Sequence, residues 1–183
     1  MNIFVLDKDP RVAAQMQCDK HVVKMIVESA QMLSTAHRVL DGTEWTDYAK
    51  NGRRIKRWKS PYKLMEDLLY KASFVGHPCT QWVMENDKNY YWLAEHSLEL
   101  CREYHRRYKK IHKTDDMLSF IRYRKPVNIP IADDITPFAQ AMPDEYKNED
   151  AVKAYRAYYL GEKTEIAEWK HSDTPAWYEE ALV

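Results

Sequence analysis

Glycine is scarce in this chain, with four in 183 residues, and cysteine is scarcer, with three. So few glycines supply little of the turn chemistry that a many-stranded β fold needs. The odd, widely spaced Cys18, Cys79 and Cys101 do not form a disulfide framework and fit a reducing compartment. No run approaches the ~18 uninterrupted apolar residues of a membrane span. The opening Met1-Asn2-Ile3-Phe4-Val5-Leu6-Asp7 is apolar, yet too short for a signal peptide and without its basic start. A cytoplasmic protein with no membrane partner is expected. Gly-rich phosphate loops, nucleophile elbows and HExxH helices are missing, which argues against phosphoryl transfer with a bound nucleotide. Cys18-x-x-His21, His77-x-Cys79 and Cys101-x-x-x-His105 stand as isolated pairs without a C-x-x-C framework, so no metal site is expected.

Net charge is also missing, since 28 Lys+Arg balance 28 Asp+Glu. A neutral total argues against strong nucleic-acid affinity, but the charge is unevenly spread. Residues 1–125 carry 23 basic against 16 acidic side chains, and residues 126–183 carry 5 against 12. A basic body can present a positive face to phosphate despite an acidic tail. What is abundant is apolar and aromatic material, 45% hydrophobic with 13 Tyr and 6 Trp. Such side chains build a core, and they also stack on bases. The predicted fold class is all-α, a compact single-domain helical bundle with long irregular loops over residues 1–183.

The predicted elements follow periodicity and punctuation. Asn2–Leu6 is a short extended piece or the lead-in to a helix. A long helix runs from about Pro10 to Leu40, stopped by Asp41-Gly42, with Val22, Val23, Ile26, Val27, Ala30 and Leu33 as its apolar face. Residues 43–60 read as a loop or short helix. Ser60-Pro61 opens a helix to about Phe74, and Gly76-His77-Pro78 breaks the chain. A further helix spans about Thr80 to Ile111, and a weaker one Asp116 to Arg122. A proline-punctuated loop covers Pro126 to Pro143. Asp144 or Asp150 caps a last long helix to about Trp169, and Pro175-Ala176-Trp177-Tyr178 opens a short closing one.

On the first helix His21, Lys24, Glu28, Gln31 and Thr35 recur every three or four residues and share one stripe. A carboxylate two turns from an imidazole can serve as a general acid or base beside an orienting histidine. The same stripe also fits a solvated face with a Lys24–Glu28 pair. Arg53, Arg54, Lys56, Arg57 and Lys59 surround Trp58, a pattern suited to a phosphate backbone beside an exposed base, or to a solvated loop. Arg102, Arg106, Arg107, Lys109, Lys110 and Lys113 decorate the end of the long central helix, where cations complement the helix dipole without any ligand.

The stretch Asp19-Lys20-His21, six residues and then Glu28 resembles the first helix of the phage-type pyrimidine-dimer DNA glycosylases. Gly76-His77 before a long aromatic helix is similar to that family's Gly-His segment. Met142-Pro143-Asp144-Glu145-Tyr146, a helix, then Pro175-Ala176-Trp177-Tyr178 resembles its closing order of elements. The resemblance implies a compact helical fold, DNA with a damaged or extrahelical base as partner, and no cofactor. It implies base removal and AP-lyase chemistry: an N-terminal amine attacks C1′, and the Schiff base resolves by β-elimination. An α-amine, ordinarily titrating near about pH 8, is partly neutral and nucleophilic in the cell. For a phage-encoded protein the location would be the host cytoplasm.

Carried onto this chain, the catalytic candidates are Glu28, His21 and the amine of Met1 or of Asn2. The DNA-contacting candidates are Lys24, Gln31, Arg53, Arg54, Lys56, Arg57, Trp58, Lys59, His77, Trp177 and Tyr178. In place of the arginines that flank the family's glutamate stand Val27, Ser29, Ala30 and Gln31, so the expected substrates widen to damaged or modified pyrimidines. Asn2 is larger than the small residue that family members expose after methionine removal, which leaves Met1 itself as a candidate nucleophile. Two other readings stay open, a non-catalytic nucleic-acid-binding module and a helical protein-interaction or inhibitor protein.

Overall fold

The computed structural model describes residues 1–182. Residues 3–6, close to its start, are deeply buried. Ile3, Phe4, Val5 and Leu6 are 0–4% exposed, and they run through the core as irregular extended chain. Burial of each such side chain is worth about 1.5–3 kcal/mol. Asp9 then caps helix α1, Pro10–Gln15, by accepting from the amides of Arg11 and Val12, with Pro10 at the first helical position.

The single long helix expected to Leu40 is two. After α1 the chain breaks at Met16–Cys18, and α2 runs from Asp19 to Asp41. The break is stabilised by a residue far along the chain. The buried Arg107 guanidinium donates to the carbonyls of Gln15 and Gln17 and to the Asp19 carboxylate, at 2.9–3.0 Å. Carbonyls that a continuous helix would have bonded internally are satisfied there instead.

Residues 43–60 correct the all-α reading. They form an antiparallel hairpin of β1, Thr43–Tyr48, and β2, Arg54–Lys59, in register Thr43↔Lys59 through Tyr48↔Arg54. The hairpin springs from the end of α2 at Gly42, where a Cβ would lie 2.3 Å from the Arg38 carbonyl oxygen, so no larger residue fits. Trp58 and the other aromatics of this stretch suit a strand as readily as a loop.

The fold is otherwise mostly helical. Helix α3, Lys63–Leu68, stops well short of Phe74 because its end turns toward Arg38. The Arg38 guanidinium, buried, donates to the carbonyls of Trp58, Glu66, Leu69 and Tyr70 and to the Glu66 carboxylate. One side chain thereby ties hairpin, α3 and α2 together. Helix α4, Pro78–Glu85, and α5, Asp87–Tyr108, replace the one helix expected from Thr80 to Ile111, divided where Asn86 caps α5. Helix α5 lies antiparallel to α2, with His37 bonded to Tyr90 at one end and Asp19 to Arg107 at the other.

Helix α6, Asp115–Ile121, and the irregular 126–143 stretch follow as expected. Helix α7, Ala151–Glu162, is capped by Asp150 but ends before Trp169, because Glu168 and Lys170 bend back to bond the first turn of α2. Helix α8, Ala176–Glu180, closes the described chain. Among the described residues no helix is long and apolar enough to cross a membrane.

Removing the Arg38 side chain leaves four backbone carbonyls and the half-buried Glu66 carboxylate without their donor. Arg38→Met is therefore expected to destabilise by about 2–3 kcal/mol, the scale for leaving buried acceptors unsatisfied. Urea unfolding reads this directly, and a loss below about 1 kcal/mol would mean the junction is held by packing alone.

Candidate active site

The extended N-terminal segment delivers the first residue to the middle of α2. The Met1 nitrogen lies 3.8 Å from Glu28 Oε2, and the Asn2 amide donates to the same oxygen at 3.0 Å. Glu28 Oε1 faces Lys24 Nζ at 3.4 Å. Met1 has a buried side chain, 2% exposed, but is only half-buried as a residue, so its backbone end is what faces solvent. The Met1 sulfur accepts a weak bond from the Thr80 hydroxyl at 3.7 Å.

Asn2 fixes this geometry with its side chain. Its amide group donates to the Ala141 carbonyl at 2.8 Å, and its Oδ1 accepts from the Ile3 amide at 2.8 Å. The turn that follows puts Phe4 at φ 48°, in the left-handed region that non-glycine residues avoid. The Phe4 ring is held there by stacking on His21, with centroids 4.3 Å apart, and by the edges of Tyr155 and Tyr159.

His21 is thus drawn inward. Its Nδ1 lies 2.5 Å from the Tyr159 hydroxyl, and the ring is 4% exposed. Burial, with lesser repulsion from Lys163 and Lys24, lowers its pKa to about 3, so it stays neutral. The expectation that these five residues share one stripe available to a substrate or to solvent is therefore corrected at both ends. His21 belongs to the core, and Thr35 is buried against the backbone of Ser73. Between them Lys24 is exposed, and Glu28 and Gln31 are half-buried and face outward.

His77 joins Glu28 from the start of α4. Its Nδ1 accepts from the Cys79 amide at 3.2 Å as the helix cap, which leaves the proton on Nε2. Partial burial and the nearby Met1 ammonium both lower its pKa, with Glu28 opposing them. Burial pushes the neighbouring Cys79 thiol up to about 11, so that thiol is not the nucleophile at this end of the molecule.

The other candidates lie elsewhere. Arg53, Arg54, Lys56 and Lys59 are exposed on the hairpin, Trp58 is half-buried at its base, and Arg57 folds back onto Asp47 at 3.4 Å. Lys56 reaches Glu44 at 3.0 Å. The register splits the cluster: Arg54 and Lys56 share one face with Tyr48, while Arg57 and Lys59 share the other with Trp45. The hairpin root at Arg38 is ten residues from Glu28, about 15 Å along α2. Trp177 and Tyr178 pack against Tyr159 and Trp169, behind His21, and Tyr178 is buried. Ala141 and Tyr159 escaped the sequence reading altogether, since each lies more than 130 residues from the group it positions. No local pattern announces such a contact.

Neutral burial of three imidazoles has a measurable consequence. His21 and His96 are lowered to about 3 and His37 to about 4, in each case chiefly by burial. Their unfolded forms bind protons near pH 6.5 and the folded forms do not, so stability is full above pH 6.5 and falls as pH drops toward 3. In an NMR titration three of the seven histidine ring signals should stay flat from pH 8 to 5. A midpoint above 6 for any of these three would contradict their burial.

Residues 1–117 match the family model described as pyrimidine dimer DNA glycosylase, a span that includes Met1, Asn2, His21, Glu28 and His77. Comparison with curated proteins and with solved structures returns no match. With the family matched across well over half its length, the chain belongs to the pyrimidine dimer DNA glycosylase family and has DNA as its partner.

Proposed function

We propose that this protein removes damaged or modified pyrimidines from DNA and then nicks the strand, with the Met1 amine as nucleophile and Glu28 as its carboxylate partner. The observation that carries this reading is the 3.8 Å approach of the Met1 nitrogen to Glu28 Oε2 at a solvent-facing point of the surface. That separation suits an ion pair and lies beyond a hydrogen bond, so the amine is held without being capped.

The neutral amine attacks C1′, and the glycosidic C1′–N bond breaks with its electron pair leaving on the base, which takes the proton that the amine gives up. O4′ takes a proton from solvent as the sugar ring opens, giving a protonated C1′=N Schiff base whose positive charge develops beside the Glu28 carboxylate. Glu28 then accepts a C2′ proton as the 3′-phosphate leaves and the strand is cut, and water hydrolyses the imine to free the Met1 amine. The Asn2 amide orients Oε2 for this task, and the free Nε2–H of His77 is a donor for a sugar or phosphate oxygen.

Attack at C1′ needs the nucleotide turned out of a kinked duplex. The hairpin cations, with Lys24 and Gln31 beside Glu28, are the proposed grip on the phosphates. Arg53 and Arg54 suit this best, since neither has a carboxylate partner among the described residues.

Borohydride added to protein with abasic or dimer-containing duplex should trap a covalent adduct that peptide mapping places on Met1. Glu28→Gln should keep the melting temperature and DNA binding while cutting turnover by about 10²–10⁴-fold. No adduct with any DNA would remove the lyase step, and unfolding of Glu28→Gln would make that residue structural.

A further inference from the structure

A second strained residue stands close to the candidate site. Phe74 has φ 49°, again left-handed, yet its ring is 66% exposed. Phe4 shares that conformation but is held there by buried aromatic neighbours, as described above. Phe74 gains no such packing. It lies outside the apolar core, and among the described residues its ring contacts no other aromatic ring or cation.

Its backbone is held in place from both sides. The Thr35 hydroxyl accepts from the Ser73 amide at 3.1 Å and bonds the Ser73 carbonyl at 3.3 Å. On the other side the His77 amide donates to the Phe74 carbonyl at 2.9 Å. Strain that persists because neighbours enforce it, at a site where the side chain serves no packing, points to a function. Gly76, two residues on, has an ordinary backbone and empty space where a Cβ would stand, so the fold itself does not require this turn to be bare.

The turn lies against the face of α2 that carries Glu28. Thr35 is seven residues from Glu28, two turns along the same face of α2, which is about 10 Å or three base steps. His77, which closes the turn, lies near enough to the Met1 ammonium to feel its charge. Other exposed aromatics, including Trp45, Tyr48, Tyr62 and Tyr123, have ordinary backbones. An exposed apolar flat ring on a pinned backbone can enter a base step and stack with little regard to sequence.

Building on the DNA reading above, we propose that Phe74 is a wedge, which enters the base stack beside the target nucleotide and fills the gap left when that nucleotide turns out. It does no chemistry itself. It lowers the cost of the kinked, open duplex that the amine requires.

The test compares wild type with Phe74→Ala and Phe74→Trp on three readouts. A duplex carrying 2-aminopurine beside a tetrahydrofuran abasic analogue should brighten on binding wild type and Phe74→Trp, and stay dim with Phe74→Ala. Phe74→Ala should lower kcat/KM on abasic duplex by about ten- to a hundredfold, the scale of one base–aromatic stack. On a single-stranded abasic oligonucleotide, already unstacked, it should be trapped at the wild-type rate. Melting should be unchanged in Phe74→Ala, since the ring is exposed and alanine keeps the same left-handed backbone cost. Wild-type brightening and duplex turnover in Phe74→Ala would overturn the wedge, as would a wild-type complex that stays dim. If wild type traps no DNA at all, the amine reading fails, and the fluorescence comparison still decides the wedge by itself.

Discussion

An amino terminus carries charge, and here it is attached to four successive residues that are almost wholly buried, Ile3 to Leu6. The apolar segment brings its charged end out to solvent beside Glu28, which also accepts from the Asn2 amide. Nearly everything around the site serves this placement. Ala141 holds the Asn2 side chain, His21 and Tyr159 hold Phe4 in its left-handed turn, and Trp169 and Trp177 pack behind Tyr159. Packing and chemistry are therefore coupled: each of the roughly 1.5–3 kcal/mol contributions from those apolar side chains also fixes the position of one nitrogen.

Two buried arginines frame the helix that carries Glu28. Arg107 gathers the carbonyls where α1 gives way to α2, and Arg38 gathers those where α2 meets the hairpin and α3. Arginine suits both places, because its planar fork offers five donors and stays charged when buried. The result is a rigid 23-residue rod with the candidate nucleophile near its middle and a basic hairpin about 15 Å away. The family match ends at residue 117, whereas Ala141, Tyr155 and Tyr159 come from beyond it. The later part of the chain thus supplies support for a candidate site whose proposed reacting groups lie in the matched part.

The helical character and the outward-facing position of Glu28 on its helix were legible because both are local signals. Pro10 after Asp9, Asp41-Gly42, and the spacing from His21 to Glu28 all act within a few residues. Helix continuity was not legible, since the breaks at Met16–Cys18 and near Leu69 depend on guanidinium groups distant in sequence. The hairpin was hidden by its charge, because Arg and Lys on solvent-facing strands read like a loop. His21 looked available from spacing alone, and only the positions of Phe4 and Tyr159 show that it is a buried support for the N-terminal turn. Trp177 and Tyr178 were singled out as a motif, but the structure gives them that same supporting place.

The central claim is positional: the buried segment holds one amine at Glu28, and a displaced amine cannot replace it. One added glycine before Met1 tests this most directly, since it moves the terminal nitrogen by about 3.5 Å and leaves every buried side chain in register. The account predicts an unchanged melting temperature and DNA affinity, with borohydride trapping on abasic duplex reduced at least about a hundredfold. Trapping at the original rate by the extended chain, at its new terminus or at a lysine, would contradict it.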